Sequence, residues 1–375
     1  MIGTVYDYLM ATTIVGVIFV AAVVVVPNAS YTNLLYVDQQ QLRNTALETL
    51  KAMLLDTGYP MDWGSQISFN QSSVKRFGLA YSEASSLYVL DSEKVQRLNV
   101  ENPAGNIDYE VIREKLGLQG YGFCIRVRPL FNVTVDDLSV GNDLLFNVKV
   151  KSHDGRPVPN ASVKATILYV ETSGKKENFT YTTARGNCTD ELGECAIGCQ
   201  LPDFTGYLLV LTVTVADMAM VTIPYMEGFA QNVAFASIIG DLVRLNIPEG
   251  EHPSERTVMG MMCVGEDEVW DAGVGGKLPD DHMTHGEGYY YWDQYIQGLS
   301  YDQPLFLVFN IHTQENGGPK HMVLFAVSPL LNIQSGLLEL GGSAAQSSSG
   351  AVKLSRSVNI GGMTYIFELV LWKEL

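Results

Sequence analysis

Two stretches of this 375-residue chain gather residue types that could do chemistry. The first is Asp280-Asp281-His282-Met283-Thr284-His285-Gly286-Glu287. Carboxylate oxygens suit Ca²⁺ or Mg²⁺, and imidazole suits a transition metal. His282, His285, Asp281 and Glu287 are therefore the candidate metal set. Their His-x-x-His spacing is not the His-Glu-x-x-His helix of a metalloprotease. Flanking Gly and Pro place the run on a loop, where a solvated acidic turn, holding a divalent cation weakly at most, is expected. The adjacent Tyr289-Tyr290-Tyr291-Trp292 reads as strand core in preference to a binding surface.

The second stretch holds Cys188, Cys195 and Cys199. A Cys-x6-Cys-x3-Cys spacing lacks the second Cys-x-x-Cys pair of a zinc site. A hairpin disulfide among the three is the expectation, with Cys188–Cys199 favoured. Cys124 and Cys263 complete a set of five, so an odd thiol remains. No Gly-x-Ser-x-Gly, phosphate loop or dinucleotide fingerprint is present. Ser, His and Asp are numerous, but nothing in the sequence groups them. The expectation is a chain without a catalytic centre and without a cofactor.

Composition narrows the field further. Hydrophobic residues make up 47%, enough for sizeable cores, while charged residues are only 17% against about 25% in ordinary soluble domains. The net charge of −17 repels phosphate, which excludes nucleic acid as a natural partner. Asn-x-Ser/Thr sequons occur at Asn28, Asn70, Asn132, Asn160, Asn178 and Asn187. The run from Asn132 to Asn187 marks an exterior, glycosylated domain, so Asn132, Asn160, Asn178 and Asn187 are the candidate acceptors.

These groups need elements to carry them, and the chain opens with one. From Leu9 to Val26 eighteen residues carry no charge, a length of about 27 Å as a helix and close to a bilayer's hydrocarbon core. A retained membrane helix is expected, with the remainder at a cell surface. Leu34, Leu35, Leu42, Ala46, Leu47, Leu50, Met53 and Leu54 then recur at helical spacing, with Asp38, Gln39, Gln40, Arg43 and Glu48 on the other face. That pattern predicts an amphipathic helix to about Asp56, ended by Gly58.

An apolar half followed by an amphipathic half resembles the N-terminal helix of the type IV pilin superfamily, archaeal pilins and pseudopilins included. Asp7-Tyr8-Leu9 matches the acidic-Tyr-Leu element that precedes the apolar run in many archaeal members. Leu54-Leu55-Asp56-Thr57-Gly58-Tyr59-Pro60-Met61-Asp62-Trp63 and Phe77-Gly78-Leu79-Ala80 resemble segments that follow the helix there. The resemblance covers residues 3 to about 98. It implies an assembly role for Asp7, Tyr8 and Leu9, with Asp7 meeting the terminal amine of a neighbouring subunit. It also implies partners that are copies of this chain or related subunits.

Further along, strand-like runs at Asn132–Val135, Leu144–Val150, Ala161–Val170, Asn178–Thr183 and Tyr207–Val215 are separated by turn residues at sandwich spacing. Gly155-Arg156-Pro157-Val158-Pro159-Asn160-Ala161-Ser162-Val163, Thr189-Asp190-Glu191-Leu192-Gly193, Pro202 and Gly206-Tyr207 resemble the Ig-like and carboxypeptidase-regulatory-like sandwiches of surface proteins. Such modules act as spacers or adhesive units. More strand candidates follow, ending with Val352–Val358 and Thr364–Trp372.

The fold class expected is α+β. A long N-terminal hydrophobic helix (1–57) and a mixed α/β segment (58–129) lead to an Ig-like β-sandwich (130–224) and a second C-terminal β-domain (225–375). An alternative makes residues 7–123 and the C-terminal segment one pilin-like head with the sandwich inserted. The function expected is a structural subunit of an extracellular filament or its assembly machine, contacting the membrane and a surface ligand of unspecified chemistry. A single-helix surface adhesin or receptor and a metal-dependent ectoenzyme are the rivals.

Overall fold

The computed structural model describes residues 2–20, 26–66, 69–84, 86–100, 102, 105–173, 176–186, 188–216, 218–228, 235–239, 242–248, 256–264, 269–271, 276–277, 284–286, 289–295, 306–315, 318–327, 337–341 and 350–374.

Two helices open the chain, α1 (Ile2–Val20) and α2 (Val26–Leu55). Strands account for 48% of residues and helices for 22%, so the molecule is mostly β-sheet. The expected single long hydrophobic helix is corrected accordingly. Among the described residues no helix is long and apolar enough to cross a membrane. α2 is polar over Asp38–Gln41. The expected membrane anchor, and the cell-surface placement that rested on it, are therefore withdrawn.

The lower half of α2 is amphipathic as its spacing predicts. Leu42, Ala46, Leu50 and Met53 are buried at three- and four-residue intervals, one face of a helix. Gly58 then turns the chain at φ +76°, a backbone region that favours glycine. Trp63 folds back, fully buried, and its indole N–H donates to the Gly78 carbonyl at 3.0 Å. The Phe77-Gly78-Leu79-Ala80 run caps α2. Leu79 N–H donates to Met53 O at 2.8 Å and Ala80 N–H to Asp56 O at 3.0 Å, satisfying carbonyls that a helix end leaves open. A Cβ on Gly78 would collide with the Asp56 carbonyl, so this close approach requires glycine.

Next come β1 (Val89–Leu90), α3 (Ser92–Gln96), α4 (Tyr109–Lys115) and β2 (Tyr121–Pro129). Val89–Leu90 pairs in parallel with a strand near the C-terminus.

Then follow β3 (Phe131–Asp137), β4 (Asp143–Ser152), β5 (Ser162–Ser173), β6 (Lys176–Arg185), β7 (Glu194–Gln200), β8 (Phe204–Val215) and β9 (Met218–Glu227). They form two sheets, β3-β4-β7 and β6-β5-β8-β9, which share a core that includes Phe146, Val148, Ile167, Leu209 and Leu211. This is a β-sandwich. The Thr189-Asp190-x-x-Gly193 turn has a physical basis. Thr189 Oγ1 bridges Ala161 N–H and Val158 O at 2.8 and 2.7 Å. Asp190 Oδ1 accepts from Leu192 and Glu194 N–H, while Gly193 takes φ +74°. Tyr207 is buried and donates its hydroxyl to Asp137 at 3.1 Å.

Beyond the sandwich lie β10 (Phe235–Ile239), β11 (Leu242–Pro248), β12 (Arg256–Val264), β13 (Val269–Asp271), β14 (Gly276–Lys277), β15 (Thr284–Gly286), β16 (Tyr289–Tyr295), β17 (Phe306–Glu315) and β18 (Gly318–Val327). They make the sheets β10-β11-β16-β15 and β13-β12-β17-β18, with β14 paired to β12.

The last strands, β19 (Leu338–Gly341), β20 (Val352–Ile360) and β21 (Met363–Lys373), return to the start. The order β1-β20-β21-β2-β19 joins them to β2. The sandwich and β10–β18 are therefore insertions between β2 and β19. One face of this sheet packs on α2, with Phe123, Ile125, Phe367 and Leu369 against Leu42, Ala46, Leu50 and Met53 in one core. A boundary drawn at residue 225 separates strands that this sheet holds together. α2, β1–β2 and β19–β21 are termed the head below.

Candidate functional site

Three features of the described residues could carry function: α1, a groove beside α3, and the polar face of the head sheet.

α1 is apolar and uncovered. Every residue from Tyr8 to Val20 is exposed, with Ile14 at 56% and Met10 at 71%. Consecutive positions on a helix point all the way round it, so no face of α1 rests on the head. The polar side chains within the run are closed on themselves, Thr12 Oγ1 donating to Tyr8 O and Thr13 Oγ1 to Leu9 O. This i−4 bonding removes their need for outside partners. Tyr8 and Leu9 of the expected assembly element lie on this surface, at 79% and 63% exposure. The side chain of Asp7 lies outside the described residues.

The groove lies between the Tyr59–Asp62 strap and the start of α3, with a volume of about 580 Å³. All five residues of α3 are buried, an unusual state for Ser-Glu-Lys-Val-Gln. Lys94 Nζ donates to Ala80 O at 3.1 Å and pairs with Asp91 Oδ2 at 3.2 Å. Arg97, just after the helix, donates to the carbonyls of Gly64, Gln66 and Gly105 at 3.0, 2.7 and 3.0 Å. Buried cations are tolerable when so bonded, and these two fasten α3 under the loops. The groove's walls include Asp62, Asp91, Glu93, Ser92, Tyr59 and Tyr81. Ser92 is 3% exposed and its Oγ finds no hydrogen-bond partner among the described residues.

The head sheet's second face carries an ion-pair cluster. Glu368 on β21 is 1% exposed and meets Lys353 at 2.6 Å, Arg128 at 2.9 Å and Arg126 at 3.3 Å. Arg126 also reaches Glu339 at 3.0 Å. Burial alone would raise the Glu368 pKa, but the Lys353 hydrogen bond and the surrounding positive charge win and hold it below the ordinary value. Beside them Cys124 is buried, and its thiol pKa is pushed up to about 12, chiefly by burial.

The other expected residues are placed as follows. Cys195 and Cys199 share β7. Four residues apart on a strand they stand about 13 Å apart, too far for a bridge. Cys188 lies in the preceding loop, exposed, and Cys124, Cys188, Cys195 and Cys199 are all free thiols. The expected disulfide within the cluster is thus corrected. Asp281, His282 and Glu287 lie outside the described residues. His285 falls on β15 with its backbone opposite Tyr290 of β16, and its side chain is outside the described set. Among the described residues no group of His, Cys, Asp and Glu is placed to hold a metal. Asn132, Asn160 and Asn178 are exposed, Asn160 at a turn with φ +58°. Asn187 is outside the described residues.

Sequence reasoning missed the groove and the Glu368 cluster. A single carboxylate inside the apolar run Met363-Thr-Tyr-Ile-Phe-Glu-Leu-Val-Leu-Trp was a signal for the second. The groove had none, since Ser92 is buried by loops from elsewhere in the sequence.

No family model matches the chain, and no curated protein matches it. Among solved structures, MtrC from Shewanella baltica OS185 is 7% identical with a TM-score of 0.20, over 53% of this chain and 70% of that one. Red sea bream transglutaminase is 8% identical with a TM-score of 0.19, over 66% of this chain and 34% of that one. Likeness at this level carries no argument about fold or function, and the comparisons add no support to the resemblance to pilins.

Proposed function

We infer that the chain is a structural subunit that self-assembles through α1 into a filament or bundle, carrying its β-domains on the outside. The observation that supports this reading is the exposure of every α1 residue from Tyr8 to Val20. A contiguous apolar surface of this kind marks an interaction site. A single flat partner would cover one side of it, whereas an apolar circumference asks for several neighbours at once. Copies of the same helix supply that arrangement, because each is apolar all round and can pack at helix–helix distances. The head needs no such neighbour, since its core is complete within the chain.

Light scattering and negative-stain electron microscopy of the full chain test this reading. Large assemblies are expected for the wild type. Ile14→Asp with Val17→Asp should give monomers with an unchanged circular dichroism spectrum, because a carboxylate left unpaired in a helix bundle is costly. A wild-type chain that stays monomeric at high micromolar concentration would sink the proposal.

A further inference from the structure

We propose that the outer face of the sheet β3-β4-β7 is a contact site for a second copy of this chain, the two faces packing with their strands antiparallel. This goes beyond assembly through α1 and does not depend on it. Along β4, Leu144, Phe146, Val148 and Val150 are buried in the sandwich core, so the residues between them point outward. Outward positions on a solvated sheet face are ordinarily polar, yet Leu145 is one of them. Leu138 stands opposite it, its N–H donating to Leu145 O at 2.8 Å. Val140 lies two residues beyond Leu138 and shares its face. Leu138, Val140 and Leu145 are 56%, 79% and 43% exposed. Beside them on β7 stand Ala196 and Gly198, both exposed, and a Cβ on Gly198 would meet Leu145 Cδ1 at 3.6 Å. Small residues at the edge leave the aliphatic patch open to a flat partner. A contiguous patch of this kind marks an interaction site.

Charge selects the partner. The chain carries −17 overall, and two such chains repel wherever their acidic surfaces meet. On this face the carboxylates of Asp136, Asp143 and Glu194 stand with the ammonium groups of Lys149 and Lys151. Three negative and two positive charges leave it at −1, so two copies can meet here with little repulsion. Charge also selects the orientation. A two-fold axis running along β4 would set Asp143 on Asp143 and Lys149 on Lys149. An axis across the strands, at the Leu138–Leu145 pair, instead sets Leu138 on Leu138 and Leu145 on Leu145. It brings Asp143 of one copy over Asn147 of the other. The Lys149 ammonium leans toward that row, meeting Asp136 at 2.9 Å, so the incoming carboxylate finds an amide donor and a cation. The contact is isologous. It is also small, one three-stranded face against the roughly 800 Å² per partner of a stable dimer. It therefore pairs copies weakly alone and firmly once another contact gathers them.

Sedimentation velocity of the full chain carrying Ile14→Asp and Val17→Asp tests the contact with α1 assembly removed, so its failure and the failure of the α1 reading are told apart. A concentration-dependent dimer is expected, with a dissociation constant on the order of 0.1–1 mM. Leu145→Asp in that background should weaken it by about tenfold or more. The melting temperature should change little, because the side chain is exposed in the monomer. Leu138→Cys with Cys188→Ser, oxidised by copper phenanthroline, should give a covalent dimer, since a residue on the axis meets its own copy. Thr134→Cys in the same background stands about 13 Å from the axis and should stay monomeric. No dimer at millimolar protein, a dimer indifferent to Leu145→Asp, or cross-linking of Thr134→Cys as fast as Leu138→Cys overturns the proposal.

Discussion

The chain's two opening helices carry similar residues to opposite ends. In α2, Leu42, Ala46, Leu50 and Met53 are at most 4% exposed, packed on β2, β20 and β21. In α1, Leu9, Met10, Ile14, Val15, Val17 and Ile18 are all more than half exposed. The helices differ in overall hydrophobicity, α1 being apolar along its described length and α2 mixed, and they differ in patterning as well. α2 alternates an apolar stripe with a charged face, so it can bury the stripe on its own chain and still meet water. α1 has no polar face, so no single surface can cover it. An amphipathic helix is built for its own fold, and a uniformly apolar one is built for company.

The largest effect should therefore come from the buried side. Leu50→Ala removes a side chain at 4% exposure from the core between α2 and the sheet. A loss of about 2–5 kcal/mol is expected in urea unfolding. A loss below about 1 kcal/mol would show that α2 is not held on the head as described, and the contrast with α1 would collapse.

The head's other face gives a smaller and pH-dependent effect. Glu368→Gln removes the one carboxylate shared by Arg126, Arg128 and Lys353. Those cations retain partial access to water, so about 1–3 kcal/mol is expected, less than for a fully buried pair. Because the folded-state pKa lies below the ordinary 4.5, the unfolded chain takes up a proton more readily than the folded one. The Glu368 contribution is then complete above pH 4.5 and is lost as pH falls through the folded value. Unfolding midpoints measured from neutral pH down to about 3 should converge for wild type and Glu368→Gln. Parallel curves would mean that the cluster does not hold the charged form.

The covered-versus-uncovered contrast recurs among the thiols. Burial raises Cys124 to about 12 and Cys195 to about 11, with Arg126 pulling Cys124 down and Glu339 pushing it up. Cys188 is exposed. Since the thiolate is the reactive form, iodoacetamide at mildly alkaline pH should modify Cys188 first and leave Cys124 and Cys195 protected until denaturant is added. Cys188→Ser should change stability by no more than about 0.5 kcal/mol. A loss of about 2–4 kcal/mol, with no alkylation of Cys188, would instead restore the disulfide.

Local pattern made much of this readable. The stripe from Leu42 to Leu54 follows from spacing alone. The Thr189-Asp190-x-x-Gly193 turn was legible only through its resemblance to surface-protein sandwiches, and the structure supplies its hydrogen bonds. The illegible parts depend on distance along the chain. β2 and β21 pair across more than two hundred residues, and no period in the sequence announces a partner so remote. β7 was missed because Glu194-Cys-Ala-Ile-Gly-Cys-Gln lacks the alternation of Val, Ile and aromatics that marks a strand. The apolar run from Leu9 was read as a span because eighteen uncharged residues fit a bilayer. Among the described residues no helix is long and apolar enough to cross a membrane, and that removes the argument from length. Ser92 looked like an ordinary first-turn residue, since its burial comes from the packing of α3 under distant loops.

The smallest expected effect bears most directly on the opening contrast. Ile14→Ala deletes as much apolar side chain from α1 as Leu50→Ala does from α2. In the folded monomer Ile14 is 56% exposed and touches no core, so the deletion leaves no cavity and forfeits little burial. Alanine is also the better helix former, which offsets part of any loss. Measured in the assembly-defective Ile14→Asp, Val17→Asp background by replacing Val15 with Ala instead, or in dilute wild type for Ile14→Ala itself, the unfolding midpoint should move by less than about 0.5 kcal/mol. Under assembling conditions the same Ile14→Ala should raise the critical concentration by about thirtyfold or more, because there the side chain is buried between helices and its removal costs about what a core truncation does. A monomer destabilised by 2 kcal/mol or more would mean that α1 is covered by its own chain. The two helices would then differ in position only, and the case for company would go with them.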